Sequence, residues 1–358
     1  MSKVVFAVIG AGWRTEFFLR IVKALPERFE ISGILVRNED RGREVEEKWG
    51  VKTYTDLDSL IEKANPSFGV VSVPQQLAPP MIQKLVERGV PVLSETPPAP
   101  DLEGLIDLYK LVEKDGKIQV AEQYQYQPLH AARIAMVHSG ILGSVSQVQI
   151  SVCHWYHAMS LMRKLLGISY ENATISANRF VSPIVDGPDR WGNIQEEKIV
   201  DSEQVIALLN FGDKLGIYDF TNEQYFSWIR SLRLHVRGDK GEITDERIKY
   251  LKDFKTPIEL ELRRQTAGEN GNLEGYYLKG ILAGEKWIYQ NPFIPGRITD
   301  DEIAIATCFE KMDQYVKGGP EFYSLAEASQ DHYLALMVDK AVKTGETVKT
   351  ETQPWAVR

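Results

Sequence analysis

The stretch VVFAVIGAGWRT, residues 4–15, decides the fold. Its apolar half, residues 4–9, predicts a buried strand, and a glycine-rich turn separates that strand from a helical stretch. The first glycine allows a tight turn, the second lets backbone N–H groups approach a pyrophosphate, and the following helix N-terminus favours negative charge. The residues of this predicted dinucleotide-binding turn are Gly10, Ala11, Gly12, Trp13 and Arg14. Thr15 stands at the third glycine position, and a turn that binds no ligand is the alternative.

The chain up to about residue 120 continues in the rhythm of an α/β domain. Short β-branched runs, such as residues 29–36, 68–73 and 90–95, alternate with longer helical stretches. Gly50 and Gly89 suit the left-handed residue that follows a helix. The alternation predicts six strands in a doubly wound parallel sheet over residues 1–122.

The second half of the chain differs, because strands follow one another with few helices between them. The strand-like stretches are residues 144–152, 173–181, 204–211, 214–220, 231–238 and 258–264. Within one of them, Leu232, Leu234 and Val236 alternate with polar residues, which predicts one buried face. We therefore expect residues 123–358 to form an α+β domain with a large, open, mostly antiparallel sheet.

Composition and charge exclude several classes of function. The 358 residues are 43% hydrophobic and 26% charged, which is ordinary for globular domains. A net charge of -8 has the wrong sign for binding nucleic acid or an anionic membrane. No stretch approaches the ~18 apolar residues of a membrane-spanning helix. The two cysteines, Cys153 and Cys308, lie far apart in the chain and indicate no disulfide framework. The sequence favours a cytoplasmic enzyme or binding protein without nucleic-acid or membrane partners.

The end of the second predicted strand bears on cofactor choice. An NAD-specific site would place Asp or Glu there to bind the ribose 2′-hydroxyl, but this chain has Leu35-Val36-Arg37-Asn38. Arg37 could pair with a 2′-phosphate or stack on adenine, which favours NADP over NAD. The alternative is a solvated loop arginine that answers the adjacent acidic pair Glu39-Asp40.

Several stretches, in the correct order over nearly the whole chain, resemble one family. Residues 89–99, GVPVLSETPPA, look like the G-K-x-V-x-x-E-K-P segment of the glucose-fructose oxidoreductase, inositol dehydrogenase and MocA family of NAD(P)-dependent oxidoreductases. Residues 122–128 are similar to its N-Y-R-F-x-P stretch, and residues 139–149 to its G-x-I-G-x-V turn. Residues 156–167 resemble its H-x-x-D-L-x-R-x-L-L-G helix, and residues 236–243 its G-x-x-G-x-L hairpin.

The resemblance implies a Rossmann domain, a second domain with an open sheet, and hydride transfer between NAD(P) and a hydroxyl or carbonyl group of a sugar, cyclitol or related polyol. It also implies which residues form the site. The expected cofactor contacts are Pro74, Glu95 and Pro97, in addition to the glycine turn and Arg37. The expected catalytic residues are His157, Thr96 and Tyr124, and the expected substrate contacts are Tyr126 and His154.

The chain differs from the family pattern at two positions where the family carries charged residues. Thr96 stands where the family carries the lysine of its E-K-P motif, and Cys153 stands four residues before His157, where many members carry an aspartate. A lysine ammonium would stabilise a developing alkoxide, whereas Thr96 can only donate a hydrogen bond. These substitutions favour either another proton-handling group or a reaction other than simple alcohol oxidation.

His157 is the best remaining acid–base candidate. It begins a helical stretch, where positive potential favours the neutral imidazole, and a neutral imidazole is a competent base near pH 7. The alternative is a histidine that only hydrogen-bonds at a helix start; for Tyr124 and Tyr126 the alternative is packing. Cys153, His154 and His157 supply at most three ligands without a zinc-site spacing, so we expect no metal.

Three interpretations of the function remain open: an NAD(P)-dependent oxidoreductase, an enzyme that keeps its nicotinamide bound and uses transient oxidation for a lyase, epimerase or glycoside-cleaving step, and a non-catalytic NAD(P)-binding protein. Residues 204–211, QVIALLNF, are apolar at almost every position, as in a strand buried on both faces. This pattern favours a homodimer or homotetramer formed through an open sheet face.

Overall fold

A computed structural model describes residues 3–194, 196–268 and 275–357 of the chain. Its first sheet contains β1 Val4–Ile9, β2 Phe29–Leu35, β3 Thr53–Tyr54, β4 Gly69–Val71, β5 Val92–Ser94 and β6 Ile118–Val120. These strands are parallel and lie in the order β3-β2-β1-β4-β5-β6. The order reverses between β1 and β4, which confirms the predicted doubly wound sheet.

The helices of this sheet domain begin and end where their local sequence dictates. They are α1 Trp13–Ala24, α2 Glu39–Trp49, α3 Leu57–Ala64, α4 Ala78–Glu87 and α5 Leu102–Val112. Asn38, Asp56 and Asp101 cap α2, α3 and α5 by accepting a hydrogen bond from a backbone N–H three residues later. Gly50 ends α2 at a φ of 69°, and Gly89 has a φ of 70° after α4.

A helix from the far end of the chain completes the core of the sheet domain. The helix α8, Asp300–Val316, belongs to the same compact unit as β1 to β6, and this unit comprises residues 1–128, 265–280 and 290–329. The ring of Phe309 lies 4.4 Å from that of Phe6 and 5.4 Å from that of Phe18, between ring centroids. The expected boundary between residues 122 and 123 therefore differs from the limits of this unit, because the apolar face of α8 is buried in it.

The second sheet is larger and mostly antiparallel, as predicted. Its strands are β7 Val145–Ser151, β8 Thr174–Val185, β9 Ile199–Asn210, β10 Leu215–Thr221, β11 Arg233–Gly238, β12 Gly241–Thr244, β13 Arg247–Asp253, β14 Thr256–Ala267, β15 Tyr277–Ala283, β16 Lys286–Gln290 and β17 Val348–Lys349. They lie in the order β16-β15-β14-β13-β12-β11-β7-β10-β9-β8-β17, and β7 pairs in parallel with β10. The remaining helices are α6 Pro128–His138, α7 Trp155–Leu166 and α9 Leu325–Thr344.

One face of the second sheet is left open, and two expectations about burial are corrected there. In β9, Val205, Ala207 and Leu209 are buried, but Ile206 and Leu208 are 42% and 44% exposed. This strand is therefore buried on one face only in the single chain. Leu232 is also exposed, because it precedes β11, whereas Leu234 and Val236 within that strand are buried as predicted.

Candidate nucleotide-binding and active site

The turn between β1 and α1 presents an open backbone surface. Gly10 lies at a φ of 113°, and a Cβ at that position would collide with the carbonyl oxygen of Ser72. Gly12 precedes α1 without a side-chain cap, and a Cβ there would meet nothing within 4 Å. The backbone at Gly12 therefore borders open space at the N-terminus of α1, which fits a pyrophosphate. Thr15 is buried and donates to Gly10 O at 3.0 Å, so its hydroxyl ties the turn at the third glycine position.

Two arginines follow β2, and the one that contacts the glycine turn is Arg41 rather than the predicted Arg37. Arg37 is exposed and has no hydrogen-bond partner within the described ranges. Arg41, one helical turn further on in α2, donates to Ala11 O from Nη2 at 2.8 Å and from Nε at 3.3 Å. A cavity of about 170 Å³ lies here, lined by Ala11, Gly12 and Arg41 among others. In the sequence, Arg41 is marked only by its position four residues after Arg37, since residues four apart on a helix lie on the same side.

Arg14 points away from the turn and holds three other segments. Its Nε donates to Glu95 Oε1 at 2.8 Å, and its Nη1 donates to Asp301 Oδ2 at 3.1 Å in the first turn of α8. With the amide of Gln123 oriented to satisfy both of its atoms, Nη2 of Arg14 also donates to Gln123 at 3.2 Å. Burial opposes the charge of Arg14, but Glu95 and Asp301 raise its pKa. Arg14 therefore forms ion pairs that connect α1 to the loop after β5 and to α8, in addition to its predicted role in the glycine turn.

Glu122 is a buried carboxyl group in the same unit, and sequence reasoning did not select it. It lies two residues after the end of β6, is 1% exposed, and accepts a hydrogen bond from the backbone N–H of Tyr124 at 3.1 Å. Burial, reinforced by the charges of Glu95 and Asp301, raises the pKa of Glu122 to about 8 against the opposing effects of Tyr124 N–H and Arg14. An acid two residues after a buried strand was the signal that could have identified it.

The strand-end loops of the first unit contain the other predicted residues. Pro74 precedes a short 3₁₀ helix, Gln75–Leu77, after β4. Glu95 N donates to Val71 O at 2.9 Å, and the Thr96–Pro97 peptide bond that follows is cis. Thr96 is half-buried. These residues share the carboxyl edge of the sheet with the glycine turn, the edge at which ligands of such sheets bind.

Tyr124 and Tyr126 occupy a short 3₁₀ helix, Tyr124–Tyr126, also in the first unit. The Tyr126 hydroxyl donates to Phe322 O at 3.3 Å, and burial raises the pKa of Tyr126. Lys311 Nζ lies 5.4 Å from the centre of its ring. This phenol is tied to the main chain of its own unit, which favours the packing alternative for Tyr126.

His154 and His157 lie in the second compact unit, where aromatic groups surround them. The hydroxyl of Tyr225 lies 2.6 Å from His154 Nδ1 and accepts from His154 N at 2.9 Å. His154 Nε2 lies 3.3 Å from the hydroxyl of Tyr156. Burial, assisted by His157, lowers the pKa of His154 to about 3, so this imidazole stays neutral at physiological pH.

His157 lies in the first turn of α7 and is 5% exposed. Its ring centroid lies 4.5 Å from that of Tyr156 and 5.0 Å from that of His154. Trp155, the first residue of α7, has a φ of 41°, a value rare for a bulky residue, and its N–H donates to the Tyr218 hydroxyl at 3.2 Å. Backbone strain at the start of α7 thus adjoins the predicted acid–base residue.

Among the described residues, no group of three or more His, Cys, Asp or Glu side chains is arranged to hold a metal ion. No helix in the described part of the chain is long and apolar enough to cross a membrane.

Comparison with known proteins supports the Rossmann assignment. Residues 4–124 match a family described as an oxidoreductase family with an NAD-binding Rossmann fold. An uncharacterized oxidoreductase of Schizosaccharomyces pombe is 27% identical over 155 residues, 42% of this chain and 42% of its own length. A 2,7-anhydro-N-acetylneuraminate hydratase of Mediterraneibacter gnavus is 24% identical over 147 residues, 40% of this chain and 38% of its own. The matches thus span about two fifths of these curated relatives.

Solved structures extend the similarity of fold to the whole chain. An oxidoreductase from Agrobacterium radiobacter, in complex with NAD+, L-tartaric acid and magnesium, has a TM-score of 0.68 and 16% identity. The alignment covers 97% of this chain and 98% of that one. The match over residues 4–124 agrees with the strand order, with the open glycine turn and with the resemblance of the sequence to the glucose-fructose oxidoreductase, inositol dehydrogenase and MocA family.

Proposed function

We propose that the chain is an NAD(P)-dependent oxidoreductase that transfers hydride to or from a hydroxyl or carbonyl group of a sugar, cyclitol or related polyol. The observation that carries the proposal is the open glycine turn at the carboxyl edge of the parallel sheet, in a domain of an NAD-binding family. A nicotinamide bound there would accept or supply the hydride. The residues of the chain would bind the substrate, orient it and move its proton.

We propose that His157 exchanges the proton of the substrate oxygen and that Thr96 donates a hydrogen bond. His157 is buried in the first turn of α7, where the helix dipole favours a neutral base. Thr96 lies at the end of β5, at the edge where ligands of parallel sheets bind. Tyr124 remains a proposed catalytic contact, and His154 and Tyr126 remain proposed substrate contacts.

The proposed substrate class has support from two of the similar proteins. One is a hydratase of an anhydro sugar acid, and another was solved with tartaric acid, a hydroxy acid. Both molecules carry several hydroxyl groups. The coenzyme proposed is NADP before NAD, because Arg37 is exposed at the end of β2 where an acid would bind the ribose 2′-hydroxyl.

The function is tested by two measurements on the purified chain. Mass analysis shows whether nucleotide co-purifies, and a panel of polyols and sugars is followed by the absorbance of the reduced nicotinamide. We expect NADP+ or NAD+ reduction with at least one polyol. Nucleotide binding without turnover of any panel member, in either direction, would contradict the proposed oxidoreductase.

A second candidate is an enzyme that retains its nicotinamide and catalyses a step without net redox change. It is favoured by the similarity of the chain to a hydratase and by Thr96, which brings no charge to the reacting oxygen. Under this alternative, tightly bound nucleotide would co-purify and an anhydro sugar would be converted without accumulation of reduced cofactor. The same two measurements distinguish it from the first candidate.

We also propose that the open face of the second sheet joins copies of the chain into a homodimer or homotetramer. Ile206 and Leu208 on β9 are exposed apolar residues of that face, and an apolar patch of this kind is typical of an interface. Light scattering at micromolar concentration should give a multiple of 40.6 kDa. A monomeric mass would contradict it.

A further inference from the structure

The side chain of Arg14 binds three separate stretches of the first unit. Its Nε donates to Glu95 Oε1 at 2.8 Å, and its Nη1 donates to Asp301 Oδ2 at 3.1 Å. Its Nη2 donates to the side-chain oxygen of Gln123 at 3.2 Å when that amide is oriented to satisfy both of its atoms. A guanidinium group is planar and rigid, so the three hydrogen bonds fix the three stretches relative to one another. The Arg14 side chain is only 13% exposed, so water competes little for these bonds.

Two of the three stretches carry residues that we propose to be catalytic. Glu95 immediately precedes Thr96, and Gln123 immediately precedes Tyr124. Arg14 therefore holds the residue before each of them. Because a chain that is bound at one residue leaves the next residue little freedom, these bonds restrict the backbone at both Thr96 and Tyr124.

The third stretch holds the other end of the segment that carries Tyr124. One carboxylate oxygen of Asp301 accepts from Arg14, and the other, Oδ1, accepts from Gln127 Nε2 at 3.4 Å. Gln123 and Gln127 are the residues on either side of the 3₁₀ helix Tyr124–Tyr126. Arg14 thus holds this short helix directly at its start and through Asp301 at its end.

The backbone of Arg14 belongs to the turn that would bind a pyrophosphate. Arg14 is the second residue of α1 and lies two positions after Gly12, whose backbone borders open space. A dinucleotide bound at the N-terminus of α1 would contact the segment from which the Arg14 side chain extends. One side chain therefore connects the glycine turn to the two loops that carry Thr96 and Tyr124.

We propose that Arg14 is a positioning residue, which fixes Thr96 and Tyr124 relative to the nucleotide at the glycine turn. Arg14 acts through Glu95, Gln123 and Asp301, and its contribution is geometric, since misplacing a reacting group by about 1 Å can lower turnover about 10²-fold. The inference rests on the proposed function, because it needs a nucleotide at the glycine turn and a reaction beside the two loops.

Hydrogen–deuterium exchange of the nucleotide-free chain measures this positioning without a substrate. Two reporting amides are that of Glu95, which donates to Val71 O, and that of Tyr126, which donates to Gln123 O. Arg14→Met removes charge-assisted hydrogen bonds from both loops, so exchange there should become about 10–100-fold faster. The strands of the first sheet should keep their wild-type exchange rates.

Arg20→Met is the matched control for exchange and for turnover. Arg20 also lies in α1 and pairs with α8, since its Nε lies 2.6 Å from Glu302 Oε1. This ion pair joins the same two helices as the pair of Arg14 with Asp301, but it involves neither loop. We therefore expect exchange in the two loops, and turnover, to stay at the wild-type level in Arg20→Met.

Turnover of the polyol that the wild type converts fastest gives the second measurement. Arg14→Met should lower kcat about 10²-fold and leave the Kd of NADH and NADPH close to that of the wild type, because the backbone at Gly12 is unchanged. Arg14→Lys keeps the charge but lacks the planar group that binds three partners, so it should restore the melting temperature more than kcat.

The outcomes separate this inference from the proposed function. Unchanged exchange in both loops of Arg14→Met, or of Arg14→Lys if the methionine variant does not fold, would overturn the positioning role and leave the proposed function standing. Equal acceleration in Arg14→Met and Arg20→Met would also overturn it, because Arg14 would then only hold α1 against α8. Full recovery of kcat in Arg14→Lys would assign Arg14 to charge alone. Failure of the wild type to bind any nicotinamide nucleotide would overturn the proposed function and this inference together.

Discussion

Burial shifts pKa values in opposite directions in two clusters of the molecule. The carboxyl cluster of the first unit consists of Arg14, Glu95, Glu122 and Asp301, and the histidine cluster of the second consists of His154, His157, Tyr156 and Tyr225. Around Arg14, burial raises the pKa of Glu122 to about 8, whereas burial beside Tyr156 and Tyr225 lowers the pKa of His154 to about 3. In both cases burial disfavours the charged form. The comparison shows that the acid, and not His154, titrates close to neutral pH.

The two clusters therefore give stability opposite dependences on pH. The folded pKa of Glu122 lies above its ordinary value of 4.5, so its contribution to folding is full below pH 4.5 and is lost as pH rises through 8. The folded pKa of His154 lies below its ordinary value of 6.5, so the unfolded chain binds the extra proton as pH falls from 6.5 to about 3. Alkaline conditions test the first cluster, and acidic conditions test the second.

The largest effect is expected at His157, which tests the role of the histidine cluster. If His157 is the acid–base group, His157→Asn should keep fold and nucleotide affinity but lower turnover by roughly 10²–10⁴-fold. The pH profile of the wild type should show an ionisation that the variant lacks. His138→Asn, an exposed histidine at the end of α6, is the control. Loss of stability by about 0.5–2 kcal/mol with unchanged turnover would assign His157 to a structural cap.

A slightly smaller effect on stability is expected at Glu122. Between pH 5 and pH 9 the wild type should lose at most about 5 kcal/mol of unfolding free energy through this carboxyl group, since each pKa unit corresponds to about 1.4 kcal/mol. Glu122→Gln removes the titrating group and should lose less stability over that range. Urea unfolding at several pH values measures the difference. Identical slopes for wild type and variant would show that Glu122 is solvated rather than buried.

The smallest effect concerns coenzyme choice, away from both clusters. Arg37→Ala should weaken NADPH binding by about 10–100-fold and leave NADH nearly unchanged, because a charge-assisted hydrogen bond contributes roughly 1.5–3 kcal/mol. Arg41→Ala is an informative companion, because Arg41 already binds Ala11 O in the turn. Titration with both nucleotides measures the effect. Equal losses for NADPH and NADH in Arg37→Ala would exclude a 2′-phosphate contact.

Much of the fold was predictable because it is encoded locally. Five strands of the first sheet were located from their apolar runs, but β3, Thr53–Tyr54, is too short to show a period. In the second sheet, β12, β13, β15, β16 and β17 were not located. β12 and β17 are short, and β13 and β16 are largely exposed, so none of these four shows a clear apolar alternation. The exposure of Leu208 and Leu232 likewise could not be predicted from an apolar residue alone.

The candidate site divides in the same manner. The glycine turn follows from a local pattern, and the structure shows the open backbone that the pattern implies. The partners of Arg14 do not follow from a local pattern, since Asp301 lies 287 residues after Arg14 in the sequence. The sequence of α8 carries no sign that its first acidic turn meets an arginine of α1.

The sequence by itself determined the doubly wound sheet, the glycine turn and the neutral residue Thr96, because each depends on residues that are close together in the chain. Only the tertiary structure decided which charges meet. It buried Glu122, joined Glu95 and Asp301 to Arg14, and placed His154 between two phenols. A pKa depends on desolvation and on charges a few ångströms away, and both are set by residues that are distant in sequence.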